Sequence, residues 1–84
     1  LSQNYPNPFN PETSIDYRIP EETFVNISLY DITGRKVIEL VNEKRQPGHY
    51  TAKLKGDELS SGIYFYRLST TSGYTAVKKL TLNK

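Results

Sequence analysis

Apolar and polar side chains alternate through most of six short stretches of this chain. That is the period of a half-buried β-strand rather than of a helix. Ser14–Ile19 places Ile15, Tyr17 and Ile19 on one face, and Pro20 ends it. Phe24–Tyr30 places Val25, Ile27 and Leu29 on one face, with Asn26 and Ser28 opposite. Arg35–Asn42 follows as its hairpin partner; only Val37–Val41 has a spacing that a helical turn would share, and its β-branched content argues for a strand. Gly48–Lys55 sets Tyr50, Ala52 and Leu54 against His49, Thr51 and Lys53. Ile63–Ser69 sets Tyr64, Tyr66 and Leu68 against Ile63, Phe65 and Arg67. Tyr74–Leu82 sets Val77, Lys79 and Thr81 against Ala76, Lys78, Leu80 and Leu82. Between the stretches lie turn residues: Asp31–Gly34, a polar loop over Glu43–Pro47, Gly56–Gly62, and Thr70–Gly73. The inward set is expected to include Ile15, Tyr17, Val25, Ile27, Leu29, Val37, Leu40, Tyr50, Ala52, Leu54, Leu59, Tyr64, Tyr66, Leu68, Val77 and Leu80. A bulge in the last strand would let Val77 and Leu80 both face inward.

The opening, Leu1–Pro11, reads differently. Pro6, Pro8 and Pro11 exclude a helix and favour extended backbone. Tyr5 and Phe9 set it apart from a flexible Gly/Ser linker. The segment reads as an ordered arm with Phe9 anchored in the core. Asp31 is placed to cap backbone donors of its turn, and Gly34 to take positive φ there. Leu59-Ser60-Ser61-Gly62-Ile63-Tyr64 leads from a turn into a strand as a tyrosine corner does, with the Tyr64 hydroxyl tied back to upstream backbone and Gly62 supplying the unusual backbone angle. Short strands separated by turn chemistry predict an all-β fold. The specific expectation is a small immunoglobulin-like or fibronectin-type-III-like antiparallel β-sandwich of about six to seven strands.

Composition narrows this reading. The 84 residues make one domain, 1–84, with the arm at 1–11. The apolar fraction of 36% and charged fraction of 24% fit neither a membrane-embedded nor a disordered chain, and no apolar run is long enough to span a bilayer. An opening at Leu1 rather than Met fits a segment of a longer precursor. With no Cys there is no disulfide and no thiolate chemistry. The net charge of +2 is too small to indicate nucleic acid, but its distribution is uneven: from Leu59 to Lys84 there is no acid, only Arg67, Lys78, Lys79 and Lys84 as charges. Such a run either keeps a sheet edge soluble or marks a partner surface.

Catalytic constellations are missing. His49 is the lone histidine and sits on a polar strand face, which leaves no multi-histidine zinc site and no Gly-x-Ser-x-Gly elbow for a triad. Glu21-Glu22 and Asp57-Glu58 fall in turns of a domain too small to hold a cleft between them. Asp31, Asp57 and Glu58 lack EF-hand spacing, and no cofactor motif is present. The Asn26-Ile27-Ser28 sequon lies inside a strand. Tyr64, Phe65, Tyr66 and Tyr74 are numerous enough for a stacking platform, but the alternation assigns Tyr64 and Tyr66 to the core.

Asn7-Pro8-Phe9-Asn10-Pro11, Tyr30-Asp31-Ile32-Thr33-Gly34-Arg35, Leu59-Ser60-Ser61-Gly62-Ile63-Tyr64 and a near-terminal lysine occur in that order along the whole chain. This ordered set resembles the C-terminal sorting domain of type IX secretion cargo. It is also similar to the immunoglobulin-like domain of flagellar hook-capping proteins, through the Asp-x-x-Gly-Arg hairpin and the Gly-x-Tyr strand. The resemblance implies a non-catalytic tail, covalently part of a larger secreted protein, that directs export across the outer membrane of Bacteroidetes-like bacteria to the cell surface. It implies the outer-membrane translocon and surface-attachment machinery as partners, with anionic lipopolysaccharide among the attachment targets. The motif and recognition residues it marks are Asn7, Pro8, Phe9, Asn10, Pro11, Asp31, Gly34, Gly62, Tyr64 and Lys79. Lys78 adjoins Lys79, and Lys79 is taken as the family's lysine. The alternative readings are a carbohydrate-binding module or a passive spacer appended to an extracellular enzyme.

Overall fold

Why the alternating stretches become strands is visible in their burial. In a computed structural model, which describes residues 1–9 and 11–84, most polar members of the stretches face water while most apolar members meet across the gap between two sheets. Six strands form: β1 (Glu12–Ile19), β2 (Thr23–Tyr30), β3 (Lys36–Arg45), β4 (Gly48–Lys55), β5 (Gly62–Thr70) and β6 (Thr75–Leu82). The smaller sheet pairs β1 with β4, and the larger has the order β3-β2-β5-β6. All neighbouring strands are antiparallel. No helix occurs among the described residues. This is the expected small immunoglobulin-like β-sandwich.

The core joins both sheets. Ile15, Tyr17, Ile19, Ala52 and Leu54 come from the smaller sheet; Val25, Ile27, Leu29, Val41, Tyr64, Tyr66, Leu68, Leu80 and Leu82 come from the larger. Phe9 and Leu59 seal it from the arm and a turn. Two expectations need correction, the burial of Val77 and the loop at Glu43–Pro47. Val77 is 55% exposed. The β5–β6 register runs without interruption from Gly62↔Leu82 to Ser69↔Thr75, so no bulge turns Val77 inward, and Leu80 and Leu82 fill the face instead. In β3, Val37 and Leu40 are half-buried and pack against the core as expected, and Val41 is buried in it. Register shifts at Ile27/Ser28 and Leu29/Tyr30 interrupt the β2–β3 ladder, which breaks strict alternation along β3. Tyr50 is half-buried: its ring stacks on Tyr17 at 5.4 Å and lies under the Arg45 guanidinium at 5.1 Å. The segment expected as a loop at Glu43–Pro47 also continues β3 to Arg45, because Thr23, Phe24 and Val25 offer it a backbone ladder.

The arm closes one side of the sandwich. The Ser2 and Tyr5 N–H groups donate to Asp16 O and Ser14 O of β1, each at 2.9 Å. Four residues later the arm joins the other sheet: Phe9 N–H donates to Thr81 O and Asn83 N–H to Phe9 O, both at 3.1 Å, in a parallel bridge to Leu82. The chain bends between these points, and the peptide bonds before Pro6 and Pro8 are cis. The arm therefore covers the outer edges of both β1 and β6, which would otherwise present unpaired backbone. Buried polar groups anchor it. Asn4 Nδ2 donates to Thr13 Oγ1 (3.1 Å) and Thr13 Oγ1 to Pro6 O (2.8 Å), while the Tyr66 hydroxyl crosses the core to Ser2 O (2.7 Å). No buried side-chain nitrogen or oxygen among the described residues lacks a partner.

Candidate functional site

The register brings the sequence motifs to one end of the sandwich. Tyr30 pairs with Phe65, and Phe65 with Lys79, so the β2–β3 turn lies at the same end as Gly62 and Leu82. Phe9 pairs with Leu82, and the arm enters β1 beside the last residue of β4, opposite Glu12. Four segments far apart in sequence thus share one pole: the arm, the Asp31–Gly34 turn, the Gly56–Gly62 corner and the end of β6.

Asp31 holds the first of these turns. Its Oδ1 accepts the Thr33 hydroxyl (2.6 Å), the Thr33 N–H (2.9 Å) and the Arg35 N–H (3.1 Å), and Arg35 Nε lies 3.4 Å from Oδ2. The Thr33 hydroxyl foremost, together with the two backbone donors and the Arg35 charge, holds the Asp31 carboxyl below the usual carboxylate range against the opposing effect of desolvation. Gly34 has φ of 88°, and its N–H donates to Asp31 O at 3.0 Å, closing the turn as expected.

The corner is built from the Tyr64 hydroxyl, which donates to Ser60 O at 2.6 Å. Gly62, the first residue of β5, has φ of 150°, a backbone angle that residues with a side chain rarely adopt. The chain end ties onto the same loop, through Lys84 N–H to Ser61 Oγ (3.1 Å) and Lys84 Nζ to Asp57 O (2.8 Å). Beneath it, Gly56 N–H donates to Pro11 O at 2.8 Å. A Cβ added at Gly56 would lie 3.0 Å from Leu82 Cδ1 and 3.1 Å from Phe9 Cε2. Corner, arm and last strand are therefore packed as one piece.

The motif residues divide into builders and exposed groups. Phe9 and Tyr64 are buried, and Asn7 Oδ1 accepts the Thr81 N–H at 3.0 Å. Pro8 and Pro11 are exposed. Asn10 lies outside the described residues. Lys79 is exposed, on the same outward face of β6 as Val77. Its carbonyl accepts Gln3 Nε2 at 2.7 Å, and its ammonium has no carboxylate partner among the described residues. Lys78 is the half-buried member of the pair.

Sequence reasoning did not single out the groups beside Lys79. Arg67 Nη2 donates to Tyr30 Oη at 2.9 Å, and the guanidinium lies over the Tyr30 ring at 5.1 Å from its centroid. Tyr30, Asp31, Ile32, Gly34, Phe65, Arg67 and Val77 line a shallow groove here. The alternation had placed Phe65 and Arg67 outward, but Tyr30 joins them only through the β2–β5 register. The aromatic platform is not formed, because Tyr64 and Tyr66 are buried. His49, Asp57 and Glu58 are separately exposed, and the described residues hold no group of three or more metal-ligating side chains. No helix of the described residues is long and apolar enough to cross a membrane.

Residues 3–83 match the family described as the secretion system C-terminal sorting domain. No curated protein and no solved structure matches the chain. The family is a non-catalytic signal that interacts with the type IX secretion machinery and implies export. The match covers nearly the whole chain and takes in every motif gathered at the pole, so the chain belongs to the secretion system C-terminal sorting domain family, the sorting signal for type IX secretion of a larger cargo protein.

Proposed function

We propose that the type IX machinery reads this domain in its folded form, at the pole where the motifs meet, and that Lys79 is a contact residue there. The domain itself carries no catalysis. It leaves the cargo attached at the cell surface, where anionic lipopolysaccharide is the attachment partner. The observation that carries the reading is the convergence of four motif segments on one end of the sandwich through the strand register. A linear peptide signal would not need Phe9, Asp31, Tyr64 and Leu82 to be assembled in space. On this reading Asn7, Phe9, Asp31, Gly34, Gly62 and Tyr64 act by building the pole, whereas Lys79 is free to touch a partner.

The test is export of a reporter fused to residues 1–84 in a bacterium with the machinery. Lys79→Gln removes an exposed charge and is expected to change stability by less than about 0.5 kcal/mol. The melting temperature should stay put while the reporter accumulates in the periplasm. Lys53→Gln, an exposed lysine of β4 on the smaller sheet, should be exported like the parent. Unfolding of Lys79→Gln would assign the lysine a structural role. Export equal to the Lys53→Gln control would remove Lys79 from the contact.

A further inference from the structure

Three of the large hydrophobic side chains left exposed on this domain, Ile32 (73%), Phe65 (36%) and Val77 (55%), stand together on the outer face of the larger sheet, around the groove beside the Asp31 turn. Outward positions of a solvated sheet are normally polar. Here the cross-strand pairs are Arg67↔Val77 and Phe65↔Lys79, so Val77 and Phe65 each stand beside a cation. The two cations have no carboxylate partner among the described residues, whose four ion pairs are Arg35–Asp31, Lys36–Glu39, Lys44–Glu22 and Arg45–Glu43. Asp31 at the rim is already committed to Thr33 and Arg35. Arg67 is also held in place, because its stacking on Tyr30 and its bond to the Tyr30 hydroxyl fix the guanidinium before any partner arrives.

We propose that this face is a docking surface for an acidic polypeptide segment bearing an aliphatic side chain. The Arg67 fork takes a carboxylate, Phe65 and Val77 take the aliphatic group, and Lys79 faces a second acid. Charge complementarity selects the occupant: two unpaired cations flank an apolar strip with no competing free acid. A sugar fits less well, since the Tyr30 ring face that would stack on it is covered by Arg67, and an anionic glycan would leave Ile32, Phe65 and Val77 unburied. The proposal rests on the sorting reading and adds to it the chemistry of the partner and the residues that grip it.

The experiment places a photo-crosslinking residue at Val77 in the exported reporter fusion and maps the adduct. The expected adduct is to an acidic segment of an envelope protein of the sorting machinery. Arg67→Glu should lower its yield by about tenfold or more with the melting temperature unmoved. Arg67→Lys, which keeps the charge without the fork, should restore only part of the yield. Should Arg67→Glu fail to fold, Val77→Asp with the crosslinker moved to Ile32 asks the same question, and loss of the adduct is again expected. An adduct indifferent to these changes, an adduct to lipopolysaccharide or to a second copy of the domain, or no protein adduct from a fusion that is exported would each overturn the proposal and leave the sorting reading intact. A parent fusion that is not exported would overturn both.

Discussion

Two tyrosines in this domain make the same local bond in different surroundings. Tyr64 donates to Ser60 O and Tyr50 donates to Gln46 O, each at 2.6 Å and each four residues back. Tyr64 is 7% exposed in the core, whereas Tyr50 is half-buried at the edge of the smaller sheet. Tyr→Phe keeps the ring and its packing and deletes only the hydroxyl. At Tyr64 the carbonyl loses its partner where the ring and corner restrict water, and the expected cost is about 1 kcal/mol. For a domain of this size that is roughly 4–8 °C in melting temperature. At Tyr50 water replaces the hydroxyl at the exposed bond, and the change should stay within about 0.5 kcal/mol. Tyr64→Ala removes the ring as well and is expected to cost about 3–5 kcal/mol. That is a large part of the roughly 4–13 kcal/mol expected of a domain with 84 residues. Thermal unfolding of the parent, Tyr64→Phe, Tyr50→Phe and Tyr64→Ala, followed by circular dichroism, measures all four. A Tyr64→Phe variant that melts with the parent would show that the corner bond does not hold the turn. Equal losses at the two tyrosines would show that burial is not what separates them.

Gly56→Ala places a methyl group against Leu82 and Phe9, and overpacking of this kind costs about 1–3 kcal/mol; hydrogen exchange should rise first at the Phe9 and Asn83 amides, and unchanged protection there would refute the tight packing of arm and last strand. Asp31 has its folded-state pKa lowered, so its support for the turn is fully present above the ordinary aspartate value and is lost as pH falls through the lowered one; the Thr33 and Arg35 amide resonances should shift with a midpoint below the ordinary aspartate range of about 3.9, and a midpoint at or above it would refute the carboxylate cap. Burial pushes the Tyr66 hydroxyl up, so its contribution is fully present below the ordinary tyrosine value of about 10 and is lost as pH rises through the raised one. Tyrosinate absorbance should therefore show a late component that coincides with loss of β-sheet signal; a single titration of all tyrosines with the fold intact would refute it.

Alternation made most of this fold legible. It works where one face of a strand meets the core and the other meets water, as in β4 and β5, where Ala52, Leu54, Tyr64, Tyr66 and Leu68 are buried as expected. It gives way in β3, an outer strand with two register shifts, where Val37, Ile38 and Leu40 are half-buried against the core beside a buried Val41. It also fails at Val77, where an apolar residue is simply exposed. Ser28 is fully buried on the polar side of β2, with its hydroxyl bonded to Asn26 Oδ1; neighbours on adjacent strands cover it, and no local pattern carries that. The site was legible in part. The turn at Asp31 and the corner at Tyr64 are local, so their chemistry can be read from consecutive residues. Their meeting at one pole with Phe9 and Lys79, and the clasp of Arg67 on Tyr30, depend on pairing between distant strands.

The arm has a consequence for the order in which this domain is completed. Its bonds to Ser14 and Asp16 can form as soon as β1 exists, but those to Thr81 and Asn83 need the final strand. Gln3 reaches the Lys79 carbonyl across 76 positions of sequence, and Asn7 reaches Thr81 across 74. On a chain emerging from the ribosome, the arm of this domain must wait for β6. The domain closes only when its final residues are present, so a nascent or prematurely terminated chain keeps one side of the sandwich open. Folding thereby acts as a check on the last strand: a closed domain has been translated at least as far as Asn83.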